Sequence, residues 1–147
     1  MHDKHRQWID GRGIDPDLAE KFGLTTTRDG DGFWLTVPYT ERGEVINHKY
    51  RMTSEKRHRM DTGAPLSLWN SDALSHPEVL AGAAVIITEG EWDALAAMTA
   101  GLKHVVSVPN GAPGQRTNEP ENAKRYQFIW RNSVCVDEKE KKMIVNS

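Results

Sequence analysis

The chain has 147 residues, 37% of them hydrophobic and 27% charged, which suits one core of ordinary size or two small lobes rather than a disordered chain. No apolar run approaches the ~20 residues that span a bilayer, and the start M-H-D-K-H-R-Q-W lacks the apolar core of a signal peptide, so a cytoplasmic location is the expectation. The net charge is −2, and the single cysteine, Cys135, excludes an internal disulfide framework and any zinc ribbon built from this chain alone.

The first segment reads as helix, turn, helix. Asp15 before Pro16 has the chemistry of an N-cap with proline at the first helical position, and Gly23 stands where a left-handed C-terminal residue belongs. Leu18 and Phe22, four apart, share a face against which Trp8, Ile9 and Ile14 are expected to pack.

The pattern then changes to period two. Leu24–Arg28 and Phe33–Tyr39 flank R-D-G-D-G, a tight-hairpin sequence, and T-E-R-G-E leads into a strand over Val45–Met52. Alternation puts Ile46, His48, Tyr50 and Met52 on one face of that strand and Val45, Asn47, Lys49 and Arg51 on the other. Lys56–Met60 reads as a further short strand, D-T-G-A-P as a loop, and Leu66–Trp69 and Pro77–Leu80 as connecting elements.

From Ala83 the pattern becomes that of a parallel sheet. Ala83–Thr88 is a continuous apolar run, Glu91–Ala100 a helix stopped by Gly101, and Val105–Val108 a second buried strand, together a βαβ unit. The glycine-rich loop P-N-G-A-P-G-Q follows, then a helical face over Glu119–Trp130, and Met143–Val145 begins a third strand. A lobe boundary is expected between Asn70 and Ala81, dividing residues 1–75 from 76–147.

Two groups of side chains can carry chemistry. Glu89 follows the first buried strand directly, Gly90 lets the backbone turn, and Asp93 lies one helical turn on, so two oxygen donors suited to Mg²⁺ stand at the mouth of a sheet. The alternative is that both acids only complement the helix dipole. Glu91, two positions after Glu89, is expected to turn away from that side. The second group is the run from His48 to Arg59, which holds five Lys/Arg, two His and one acid on a slightly acidic chain. Lys49 and Arg51 at alternate strand positions can track phosphates, with Lys56, Arg57 and Arg59 beyond them; a solvated edge strand is the plainer reading. Trp34 and Tyr50 are stacking candidates whose strand spacing also suits a core. His48 and His58 lack a metal-ligand pattern.

The segment V-I-I-T-E-G-E-W-D-A-L-A-A-M-T-A-G-L-K-H-V-V-S-V-P-N-G-A resembles the first half of the Toprim domain: apolar strand, E-G-x-x-D, a helix ending in glycine, and a strand running into P-N-G. Upstream, G-R-G-I, L-T-V-P-Y, G-E-V-I-N-H-K-Y-R and K-R-H-R-M resemble the smaller lobe preceding Toprim in bacterial and phage primases and primase-helicases. The resemblance implies an α/β fold, a partial Rossmann-like Toprim sheet preceded by a small α+β lobe with antiparallel strands. It implies that Glu89 acts in a Mg²⁺ (or Mn²⁺) centre as catalytic or metal-associated residue, with Asp93 supporting it and Gly90, Asn110 and Gly111 in the loops around it. It further implies that Lys49, Arg51 and, more loosely, Lys56, Arg57 and Arg59 face a single-stranded DNA template and nucleoside triphosphates, with a replicative helicase as a further partner. The activity implied is RNA primer synthesis. A non-catalytic nucleic-acid-binding Toprim module and a Toprim nuclease or topoisomerase share the same motif; a topoisomerase needs a catalytic tyrosine, and Tyr39, Tyr50 and Tyr126 all fall in structural positions.

In one respect the sequence departs from the family. No Asp-x-Asp triplet follows Glu89; Asp137 and Glu138 are one candidate for a degenerate substitute, but the preferred alignment, in which Phe128–Asn132 resembles the helix before the third strand and M-I-V-N-S that strand, puts the missing acids just after Ser147. The expectation is half of a metal site and weak or absent catalysis from this chain alone.

Overall fold

A computed structural model of the chain describes residues 1–110 and the backbone of residues 133–135 and 143–145. The expected helix over Glu119–Trp130, Gly111, Tyr126, the side chain of Cys135, and the acids Asp137 and Glu138 lie outside the described residues.

Helix α1 (Asp3–Asp10) and helix α2 (Pro16–Lys21) open the chain. Asp15 caps α2 by accepting from the Asp17 N–H, Pro16 sits in its first turn, and Gly23 ends the unit at φ +85°. Helices of eight and six residues are too short to persist alone. Tertiary burial holds them: Ile9, Ile14 and Ala19 are fully enclosed, and burying an isoleucine contributes roughly 1.5–3 kcal/mol.

Four antiparallel strands follow in sequential order: β1 (Thr25–Asp29), β2 (Gly32–Glu41), β3 (Glu44–Met52) and β4 (Arg57–Met60). Pro38 lies in β2 beyond the last β1 pair, Thr25–Thr36, at a stretch where β2 has a neighbour on one side only, which is where a strand tolerates a residue without an N–H. The β2–β3 register slips between Tyr39 and Thr40, leaving Ile46 as an extra residue between Val45 and Asn47. This bulge corrects the expected alternation at one end of the strand. Asn47, Lys49 and Arg51 do share the inward face, but Ile46 packs on the core while Val45 is exposed.

After a 3-10 turn (Ser71–Ser75) and helix α3 (Pro77–Leu80), β5 (Val85–Thr88), helix α4 (Glu91–Thr99) and β6 (Val105–Ser107) form the expected βαβ unit, with β5 and β6 parallel and adjacent. β7 (Ser133–Cys135) and β8 (Met143–Val145) complete a second sheet in the order β6-β5-β8-β7. The strand expected at Met143–Val145 is present and pairs antiparallel to β5.

One apolar cluster joins both halves: Ile9, Ile14, Leu35, Val37, Tyr39 and Trp69 pack with Ala94 and Leu95 of α4 and Val105 of β6. Leu68, Val79, Val85 and Val106 fill the other side of the β5–β6 pair. Trp69 exchanges backbone hydrogen bonds with Ser107 at 2.8 and 3.2 Å, and Asn70, at φ +59°, donates from its side-chain amide to the Val105 carbonyl at 2.9 Å. The connection between the halves is thereby stitched onto the edge of β6. No helix among the described residues is long and apolar enough to cross a membrane.

Candidate nucleic-acid and metal site at the start of α4

The β5–α4 turn sets the site. Thr88 ends β5 with its hydroxyl donating to the Gly90 carbonyl at 2.9 Å, and Gly90 takes the extended N-cap conformation with no side chain to cap the helix. A Cβ at Gly90 would sit 3.5 Å from a carboxylate oxygen of Asp93, so Asp93 folds back over the open helix start. Glu89 and Asp93 are exposed, and neither carboxylate has a hydrogen-bond or ion-pair partner among the described residues. Two solvated acids at the carboxyl end of a parallel strand, beside the positive end of a helix, can take a hard divalent cation that keeps most of its water. Among the described residues no third His, Cys, Asp or Glu joins them within metal-sharing distance.

Glu91 does turn away from Glu89, but into the interior. Its side chain is buried, accepts from the Tyr39 hydroxyl, and receives the Lys49 ammonium at 3.0 and 3.2 Å. The same ammonium donates to the Pro109 carbonyl at 2.7 Å, in the loop that includes the exposed Asn110. Lys49 thus ties β3, the α4 start and the loop after β6 together.

Arg51 lies two residues along the same face, and burial followed by the nearby Arg12 charge pushes its pKa down. Its guanidinium carbon lies 5.6 Å from the Trp8 ring centre, and that of Arg12 lies 4.0 Å from the same ring. Trp8 meets Trp92, in the first turn of α4, edge to face at 5.1 Å. Neither guanidinium has a carboxylate partner among the described residues, and the Arg51 Nε is buried without a hydrogen bond there. Two unneutralised guanidiniums held together beside an aromatic ring suit a phosphate or another planar anion.

Sequence reasoning missed Arg12 and Trp8 as members of this group. The G-R-G-I turn placed Arg12 at a helix end, and nothing local indicated that α1 would lie over β3.

Arg57 and Arg59 occupy the opposite face of the antiparallel sheet. Arg59 bonds Asp29 at 2.7 Å and Arg57 bonds Asp31 at 3.0 Å, which ties them to the β1–β2 turn. Both guanidiniums cover Trp34, which is fully buried beneath them on that face and so offers no open ring for a base to stack on. Arg59 also lies over Tyr50, whose hydroxyl donates to Asp61 at 2.8 Å. Lys56 is exposed in the β3–β4 turn. The basic run therefore divides by strand parity into an inward pair, Lys49 and Arg51, and an outward pair, Arg57 and Arg59. His58 is exposed, and His48 is engaged with Asp61 at 2.7 Å.

No family model matches the chain. It is 30% identical over 132 residues to the chloroplastic/mitochondrial Twinkle homolog protein of Arabidopsis thaliana, and 28% identical over the same length to the Arabidopsis primase homolog protein. Each match covers 87% of this chain, which spans 18% and 37% of those relatives. Its fold superposes on the Aquifex aeolicus primase, comprising zinc-binding and RNA polymerase domains, with a TM-score of 0.64 at 18% identity over 78% of this chain and 38% of that one. It likewise matches a chain of the bacteriophage T7 lagging-strand polymerase complex, in which primase domains are bound to an RNA/DNA hybrid and dTTP (TM-score 0.58, 21% identity, 80% of this chain, 52% of that one). The primase fragment of the T7 primase-helicase gives a TM-score of 0.53 at 22% identity, over 69% of this chain and 41% of that one. In sequence likeness and in its mixed α/β fold, an antiparallel sheet joined to a parallel strand pair, the chain has the character of a primase-type domain.

Proposed function

We propose that this chain is the template- and nucleotide-handling part of a primase, working in the complete protein as a Mg²⁺-dependent synthesiser of RNA primers on single-stranded DNA. On this reading residues 76–147 form a partial Toprim domain behind an N-terminal lobe of residues 1–75, and the setting is cytoplasmic. The observation that carries it is the convergence on one helix turn: exposed Glu89 and Asp93 stand beside Trp92 and Glu91, which meet Trp8 with Arg12 and Arg51, and Lys49. Acids that can hold a cation thus lie next to cations that can hold phosphate, the pairing that joining a nucleoside triphosphate to a hydroxyl demands.

When bound, the metal would neutralise triphosphate charge and favour the ionised attacking hydroxyl. Glu89, with Asp93 in support, would hold it, and Mn²⁺ would substitute. Arg51 and Arg12 would orient the phosphates or the template strand. Lys49 contributes indirectly, since Glu91 and the Pro109 carbonyl already occupy its ammonium. A replicative helicase as partner belongs to the same proposal.

The test is template-directed primer synthesis by the complete protein in Mg²⁺. Glu89→Gln should abolish it while leaving single-stranded DNA binding intact; full synthesis by Glu89→Gln would sink the proposal. The lack of a third nearby acid among the described residues favours one alternative, a module that binds nucleic acid without catalysis. On that reading Arg51→Ala loses DNA affinity and no variant alters synthesis. A topoisomerase is disfavoured by the burial of Tyr39 beneath Glu91 and by the Tyr50–Asp61 hydrogen bond.

A further inference from the structure

A second set of metal-competent donors gathers at the other end of the β5–β6 pair. His104 immediately precedes β6, whereas Glu89 immediately follows β5, and the two strands run parallel. The two residues therefore stand at opposite edges of the sheet. Beside His104 lie His76 and Glu78 from the start of α3, and one donor atom from each of the three falls within 4.8 Å of the others. The His76 and His104 rings are 4.8 Å apart, and His104 Nε2 lies 2.7 Å from a Glu78 oxygen. His104 holds this place with a left-handed backbone, φ +56°, which Gly or Asn adopts at lower cost.

We propose that His76, Glu78 and His104 form a site for a borderline divalent transition metal such as Zn²⁺, clipping the α3 segment to the turn between α4 and β6. Two imidazoles and a carboxylate suit Zn²⁺ or Co²⁺ and not Mg²⁺, which takes oxygen ligands. Nitrogen and oxygen ligands of tetrahedral zinc stand roughly 3.3 Å apart, against at most 4.8 Å between these three donors. The His104–Glu78 contact opens slightly, and His76 moves in.

Binding has two local consequences. The ion takes the His104 Nε2 lone pair in place of the hydrogen bond to Glu78, and the proton of the neutral ring then sits on Nδ1. His76 Nδ1 now accepts from the Glu78 N–H at 3.1 Å and caps α3. Ligation through Nδ1 takes that lone pair, and ligation through Nε2 moves the ring proton to Nδ1, so either mode gives up the cap. Lys103, adjacent in sequence, puts a positive charge near Glu78, which repels a cation bound there. These costs predict a modest-affinity site rather than a permanently filled one.

Titration of the chelator-stripped chain with Co²⁺, followed by visible d–d absorption, and then displacement by Zn²⁺, tests this. Wild type should give a saturable one-to-one band that Zn²⁺ removes. Losing even an outer-shell partner weakens metal sites about 10- to 100-fold, so His104→Asn, which suits the left-handed backbone, and His76→Gln should each weaken binding by at least about tenfold. Glu89→Gln should leave the band unchanged, which separates this site from the one proposed for synthesis. Far-UV circular dichroism checks each variant, and His76→Gln decides if His104→Asn fails to fold. No band in wild type, an undiminished band in the folded variants, or loss of the band in Glu89→Gln overturns the proposal.

Discussion

The Lys49 ammonium sits 3.0 and 3.2 Å from the two oxygens of Glu91, across 42 residues of sequence, with the lysine side chain 15% exposed and the glutamate 2%. A charge pair this enclosed depends on both members, because removing one leaves the other desolvated without compensation.

Lys49→Met should therefore lower unfolding free energy by about 3 kcal/mol, and Glu91→Gln by somewhat less, since the Tyr39 hydroxyl still has an acceptor. The double variant should recover much of the loss. Urea denaturation of the four proteins measures the coupling; strictly additive effects would show that the contact contributes nothing.

Arg51→Ala should weaken single-stranded DNA binding and reduce the slope of log affinity against log salt by about 1, the signature of one lost phosphate contact. Arg51→Lys should restore the salt slope but not the full affinity, since the ammonium cannot present the planar fork beside Trp8. Arg57→Ala, on the other face and already paired with Asp31, should change affinity much less. Equal losses for Arg51→Ala and Arg57→Ala would mean that strand parity does not define the binding face.

The carboxyl of Asp61 is partly buried, which alone would raise its pKa, but hydrogen bonds from His48 and then Tyr50 outweigh burial and hold it below the usual carboxylate range. A depressed folded pKa gives stability that is complete above the unfolded value and is lost as pH falls through the folded one. Burial likewise pushes His5 down, with the His2 charge adding to it, so its contribution is lost as pH falls below the ordinary histidine range. Thermal melts should show two separate declines on acidification. Asp61→Asn should shrink only the lower one, to which Asp29 and Glu78 also contribute, and His5→Gln should remove only the upper; declines unaffected by either change would refute both assignments.

Gly23 combines φ +85° with a tight approach: a Cβ there would lie 2.8 Å from the Pro38 ring. Gly23→Ala should destabilise the chain by about 2 kcal/mol, the combined cost of a left-handed alanine and displacement of a rigid ring. Gly13→Ala, at φ +73° with nothing within 4 Å, should cost only the backbone share, about 1 kcal/mol. Equal melting temperatures for the two variants would deny the Pro38 contact.

Short-range rules made much of this fold legible. Asp15 and Pro16 start α2 because capping is satisfied within three residues, and R-D-G-D-G makes the β1–β2 hairpin, where Gly32 takes a φ of +128° open to glycine. The apolar run ending at Thr88, with Glu89 and Gly90 after it, marked the βαβ unit and its mouth. Alternation alone placed Lys49 with Arg51. It failed at Val45 and Ile46 because a bulge is an agreement between two strands and leaves no mark in one.

What the sequence could not decide was which way each face points. Periodicity fixes the relative orientation of neighbours along one element; the absolute direction depends on what packs from far along the chain. Hence Glu91 was correctly set apart from Glu89, yet only α4 lying against β3 made it the buried partner of Lys49. Arg12 and Trp8 entered the site for the same reason, because Trp8 of α1 lies beside Arg51 of β3 and against Trp92 of α4. Glu89 and Asp93 remain where local spacing put them, in solvent at the helix start, while the cations facing that turn were chosen by tertiary packing.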